Sequence, residues 1–114
     1  MLPKKYRLIK DKDFARVARY GQKAYSRELN LKWIKNNQSC SRFGIIVSLK
    51  VDKKAVIRNK IKRRLRAILR EKISFLVPGW DVIVITKDRI KELDYSQLQN
   101  MFLEILNKNN LIIC

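Results

Sequence analysis

RFGIIVSLKVDKKAVIRNKIKRRLRAILREKISFLVPGWDVIVI, Arg42 to Ile85, places a β-prone run, a long basic stretch and a second β-prone run in succession. Arg42–Leu49 and Val82–Ile85 are apolar runs of the length and composition of buried strands. Between them, apolar residues recur at helical spacing from about Ala55 to about Phe75, and Pro78-Gly79 stops the pattern. Strand, helix and strand in that order predict a parallel pair joined by a crossover, which the general rule makes right-handed.

The flanks complete the architecture. DKDFARVARYG (11–21) predicts a helix capped by Asp11, with Phe14, Val17 and Ala18 on one face and Gly21 at its end. ELNLKWIKN (28–36) alternates, with Leu29, Leu31 and Trp33 on one face and Asn30 and Lys32 on the other, as a half-buried strand does. QKAY (22–25) can add a short strand before it, and Asn36 to Ser41 has turn chemistry. Asp94 with Gln97 resembles a capping box, opening a helix with Leu98, Met101, Phe102 and Ile105 on one face. The tail LIIC is read as a short strand or a docked end. No repeat or linker divides the chain, so residues 1–114 are read as a single α+β domain. Its sheet is four-stranded and mostly antiparallel, with helices packed on it.

Composition narrows the function. The chain carries 27 Lys and Arg against 10 Asp and Glu, a formal charge of +17, yet is 46% hydrophobic. A globular body with that excess attracts polyanions, nucleic acid first and an anionic membrane surface second. Histidine is absent, which removes the commonest general base, and the acids are scattered. A metal nuclease assembled from distant carboxylates has no supporting motif. No run approaches the ~18 apolar residues of a membrane span. The start MLPKKYRLIK lacks the core of a secretory signal, and Cys40 and Cys114 are too few for a disulfide framework, so a reducing cytoplasm is expected.

The basic stretch is the sharpest signal. RNKIKRRLR, Arg58 to Arg66, holds six cations in nine residues, although like charges one turn apart cost roughly 0.2–0.5 kcal/mol per pair. On a wheel of about 100° per residue with Ile57 at zero, Ile61, Leu65, Ile68 and Leu69 fall between about 20° and 120°. Arg58, Asn59, Lys62, Arg63, Arg66 and Arg70 fall between about 100° and 240°, and Lys60, Arg64 and Glu71 lie near 300° to 340°. A solvated helix face normally mixes signs; from Lys53 to Lys72 there are ten cations and one acid, Glu71. A membrane helix needs free apolar residues, and here that stripe is expected to face the sheet. A phosphate surface would relieve the repulsion and release counterions. The forked, stacking guanidinium suits folded RNA.

Arg58-Asn59, Lys62-Arg63 and Arg66 match R-N-x-x-K-R-x-x-R, a signature of the bacterial ribonuclease P protein subunit, which the chain resembles nearly end to end. Arg7-Leu8, Asp13-Phe14, Gly21, GIIVS (44–48), Ala55-Val56 and PGWDVIVI (78–85) stand at family positions as well. The resemblance implies a left-handed crossover in place of the right-handed one. It also implies a ribonucleoprotein endonuclease that removes the 5′ leader of precursor tRNA, one protein per catalytic RNA, with magnesium bound by that RNA. Carried over by position, Arg58, Asn59, Lys60, Lys62, Arg63, Arg66 and Arg70 would contact the RNA subunit, and Asn59 is a candidate neighbour of its magnesium. Lys50, Lys53 and Lys54 would add charge near the helix start, Leu49 standing where the family tends to have lysine. The single-stranded leader would lie in a cleft between the first helix and the sheet, at Phe14, Val17, Ala18, Lys32 and Trp33. Phe14 is open between leader stacking and core packing. Ala18 and Lys32 replace family aromatics, and Trp33 sits one position out of register, which makes it a core candidate while Lys32 faces the leader. A structural RNA-binding protein such as a ribosomal component fits composition and charge equally well.

Overall fold

The computed structural model describes residues 2–113. In chain order its elements are α1 (Asp11–Tyr20), β1 (Gln22–Tyr25), β2 (Leu29–Lys35), β3 (Arg42–Ile46), α2 (Ala55–Glu71), β4 (Trp80–Thr86) and α3 (Tyr95–Lys108). The sheet order is β1-β2-β4-β3, antiparallel at β1–β2 and β2–β4 and parallel at β3–β4. Arg42 to Ile85 is therefore the expected parallel crossover, with α2 as its connection.

Alternation along β2 assigns the two faces. Leu29, Leu31 and Trp33 pack with Phe43, Ile45, Val82 and Val84 and with Ile61, Leu65, Ile68 and Leu69 of α2 and Leu98, Phe102, Ile105 and Leu106 of α3. The opposite face is thinner: Ile83, Ile34 and Ile85 meet Val17 and Phe14 of α1 and Leu8. Helices thus cover both faces, α1 alone on one side and the α2–α3 pair on the other.

α1 is held by charge as well as by apolar contact. Asp81 is fully buried at the start of β4. Arg42 Nε and Nη2 fork onto its two oxygens at 2.8 and 2.7 Å, Asn36 Nδ2 donates at 2.9 Å, and Arg16 Nη2 of α1 donates at 3.0 Å. Arg42 also reaches Asp13 of α1 at 3.4 Å. Both carboxylate oxygens are thereby engaged twice, which makes burial of the charge tolerable.

The element boundaries require some corrections. Asp11 is the first residue of α1 and makes no cap hydrogen bond; Lys10 occupies the cap position, and Asp11 and Asp13 instead sit in the first turn, near the positive end of the helix dipole. α2 ends at Glu71, and the residues up to Phe75 form a separate 3-10 turn, Ile73–Phe75, that turns the chain toward Pro78. The capping box of α3 is present: Gln97 N donates to Asp94 Oδ1 at 2.8 Å and Asp94 N to Gln97 Oε1 at 3.0 Å. The tail docks, with Ile112 bridging Leu76 and both Leu111 and Ile112 buried; Cys114 lies outside the described residues.

Candidate nucleic-acid interface

α2 presents its basic flank because its neighbouring flank is anchored. Ile61, Leu65, Ile68 and Leu69 are buried against the sheet, so Asn59, Lys62, Arg63, Arg66 and Arg70 are turned to a shallow groove of about 600 Å³ along the helix. No ion pair among the described residues involves any cation of α2; the pairs present belong to Arg16, Arg42 and Lys91. The helix's own acid, Glu71, lines the same groove beside Arg70 and accepts from Gln99 Nε2 of α3 at 3.1 Å. Partial burial of Arg66, reinforced by the charge of Arg7, lowers its proton affinity from the ordinary arginine value. The ridge is charged and crowded, and none of its cations is ion-paired among the described residues.

Its members are not equivalent. Arg58 Nη1 donates to the carbonyls of Asp52 and Lys53 at 3.0 and 2.8 Å, bracing the loop that enters α2. Lys50, Lys53 and Lys54 are exposed in that loop and extend the charge beyond the helix start. Lys60 is placed apart from the other expected residues. It shares with Arg64 and Lys91 the rim of a separate cavity of about 250 Å³ floored by Ile61, Ile90 and Leu98. The wheel separates it for the same reason, one residue being about 100° of rotation.

The expected cleft residues divide between two faces. Phe14 is half-buried, its ring over Gly44, where an added Cβ would come within 2.5 Å of Phe14 Cε1. Ala18 is exposed one turn further on. Lys32 is half-buried on the same side of the sheet, opposite Ile83 and Lys23. The other two cleft candidates lie away from that surface, Trp33 as its core reading expects. Trp33 is 6% exposed and packs on the α2–α3 side, because adjacent strand residues point to opposite faces. Val17 is completely buried between α1 and the sheet and supports the wall of this face without lining it.

Cross-strand pairing brings further residues to the Phe14 side. Asn30 lies between Tyr25 of β1 and Ile85 of β4, and its Oδ1 is buried without a hydrogen-bond partner. Tyr25 is 67% exposed beside it. Alternation with Lys32 could have indicated Asn30; the placement of Tyr25 needs the β1–β2 register, which the sequence does not display. Among the described residues no group of three His, Cys, Asp or Glu converges to hold a metal ion, and no helix is long and apolar enough to cross a membrane.

Fold and ridge together define an α+β protein that displays a basic helix whose cations have no ion-pair partner among the described residues. Known proteins make this specific. The ribonuclease P family model matches residues 2–110. The chain is 35% identical to the ribonuclease P protein component of a Cyanothece species, with 98% of each chain covered, and 38% identical to that of a Pseudanabaena species, covering 95% and 94%. It superposes on a Staphylococcus aureus RNase P protein mutant with TM-score 0.89 at 32% identity, covering 96% of this chain and 92% of that one. For the Thermotoga maritima RNase P protein the TM-score is 0.81 at 28% identity, covering 90% and 96%. The chain belongs to the ribonuclease P protein family and is similar throughout its length to the protein subunit of that tRNA-processing ribonuclease, a match that does not favour a ribosomal component.

Proposed function

We propose that this chain binds the catalytic RNA of ribonuclease P through the α2 ridge and holds the 5′ leader of precursor tRNA against the Phe14 side of the sheet. The RNA, with its own magnesium ions, hydrolyses the phosphodiester bond. The observation that carries this reading is the ridge of Asn59, Lys62, Arg63, Arg66 and Arg70, unpaired beside a buried stripe, on the family's fold. Such a ridge is strained alone and relieved by phosphates. Arg58 and the lysines at 50, 53 and 54 extend it, and the exposed amide of Asn59 is available to a base edge or to the hydration shell of an RNA-bound magnesium. Lys60, on the other flank, is peripheral to this surface.

For the leader, Phe14 offers a half-buried aromatic ring for stacking, worth ~1–3 kcal/mol per base. Lys32, half-buried on the same side, offers a charge for phosphate. Ala18, exposed one turn from Phe14, supplies no ring of its own.

The test is reconstitution. The protein alone should cleave nothing, and with its RNA it should lower the magnesium needed for leader removal. Arg63→Ala should weaken binding to the RNA subunit and make that binding less steeply salt-dependent. Phe14→Ala should weaken precursor tRNA more than mature tRNA, and equal losses on both would reject the leader assignment.

A further inference from the structure

A second group of cations lies outside both regions, where the chain enters the fold. Lys4–Tyr6 form a 3-10 turn, Arg7 bridges Phe43 in parallel, and Leu8 N donates to Phe43 O at 2.9 Å. The N-terminal segment therefore runs along the otherwise free edge of β3. There a groove of about 430 Å³ is lined by Lys4, Lys5, Arg7 and Lys10, with Ile9, 54% exposed, between them. Among the described residues no carboxylate lines it, and its remaining cation, Arg42, is already tied to Asp81 and Asp13.

Arg7 is the unusual member. Paired strand residues share a face, so Arg7 follows Phe43 toward α2 while Leu8 joins the α1 core. Its Nε is buried without a hydrogen-bond partner, and no ion pair among the described residues includes it. Its charge is felt by Arg66, itself partly buried on the ridge. Two like charges without a counterion are costly, and an anion held in the groove that Arg7 lines relieves that repulsion.

We propose that Arg7, with Lys4, Lys5 and Lys10, forms a second RNA-phosphate tract that joins the α2 ridge at Arg66 and carries the bound backbone over the β3 edge. The inference rests on the reading of α2 as an RNA-binding ridge. The phosphates belong either to the RNA subunit or to the precursor tRNA, and the experiment separates these sources.

The wild-type protein, Arg63→Gln, Arg7→Gln and the triple variant Lys4→Gln/Lys5→Gln/Lys10→Gln are titrated with the RNA subunit over a range of salt. Precursor tRNA is then titrated onto each reconstituted holoenzyme. Arg7→Gln should weaken one of the two bindings roughly tenfold, the size of one lost charge-assisted hydrogen bond. The triple variant should reduce the salt slope of the same step by about 0.7–0.9 for each phosphate it no longer neutralises. A loss confined to the first titration assigns the tract to the RNA subunit, and one confined to the second assigns it to the precursor. The three lysines are exposed, so their variant tests the tract even if Arg7→Gln perturbs folding. Wild-type behaviour of the triple variant in both titrations, alongside a weakened Arg63→Gln, overturns the inference and leaves the ridge standing. If Arg63→Gln binds normally, the ridge reading fails, and the groove variants decide the tract on their own.

Discussion

Gly44 and Phe14 depend on one another directly. The ring of Phe14 occupies the space above Gly44 that any β-carbon would need, with Leu8 as the next neighbour. Gly44→Ala must push the ring outward or the strand down. Overpacking of this kind costs about 1–3 kcal/mol, and the urea midpoint should fall accordingly. Because the ring is also the proposed leader platform, leader affinity should change with it. Phe14→Leu in the Gly44→Ala background should recover part of the stability but none of the stacking, measured as precursor against mature tRNA binding. At this scale the sequence was legible where a local period decides. Alternation in β2 separated Trp33 from Lys32, and that separation holds. It was silent where a distant strand decides: nothing near Phe14 indicates that Gly44 lies beneath it, and nothing near Arg7 indicates that Phe43 is its bridge partner.

α1 depends on a charge that no local pattern reveals. Burial by itself would raise the carboxyl of Asp81. Hydrogen bonds from Arg42 and Asn36, the charge of Arg42 and the hydrogen bond from Arg16 outweigh that and hold it below the usual aspartate range. A native pKa below the unfolded one stabilises the fold fully above the unfolded value, ~3.9, and the contribution is lost as pH falls through the native value. The urea midpoint should therefore hold above about pH 5 and fall progressively below about pH 4. Asp81→Asn should flatten that acid limb. Asp81→Ala leaves Arg42 and Arg16 facing an empty site and should cost about 3–5 kcal/mol at neutral pH, with α1 the first element to lose amide protection. An unaltered acid limb in Asp81→Asn would show that other carboxylates set the acid response. α2 was legible by contrast, because its stripe and ridge are i,i+3 and i,i+4 relations within one helix. Its end was less so, since the switch to a 3-10 turn at Ile73–Phe75 is set by where β4 must begin.

The whole molecule is arranged so that stability and binding respond to salt in opposite directions. A formal charge of +17 spread over 114 residues opposes compaction in the free protein, and α2 concentrates that repulsion, with Lys62 one turn from both Arg58 and Arg66. Among the described residues the ion pairs on Asp81 are buried and therefore poorly screened, which leaves the surface pairs of Lys91 with Asp52 and Asp88 as those that salt weakens. Raising salt from about 0.05 to about 1 M shortens the screening length several-fold, and the thermal midpoint of the free protein should rise across that range. Affinity for the RNA subunit should fall over the same range, linearly on logarithmic axes, as counterions compete for the phosphates. Lys62→Gln links the two: removing two repulsive pairs should stabilise the free protein by roughly 0.4–1 kcal/mol at low salt, while weakening RNA binding and reducing its slope. Thermal melts and filter-binding titrations on the same samples measure both quantities. A midpoint that falls with salt would mean that surface ion pairs, not repulsion, dominate the free protein's electrostatics, and the ridge would then lose its physical reason to seek an RNA.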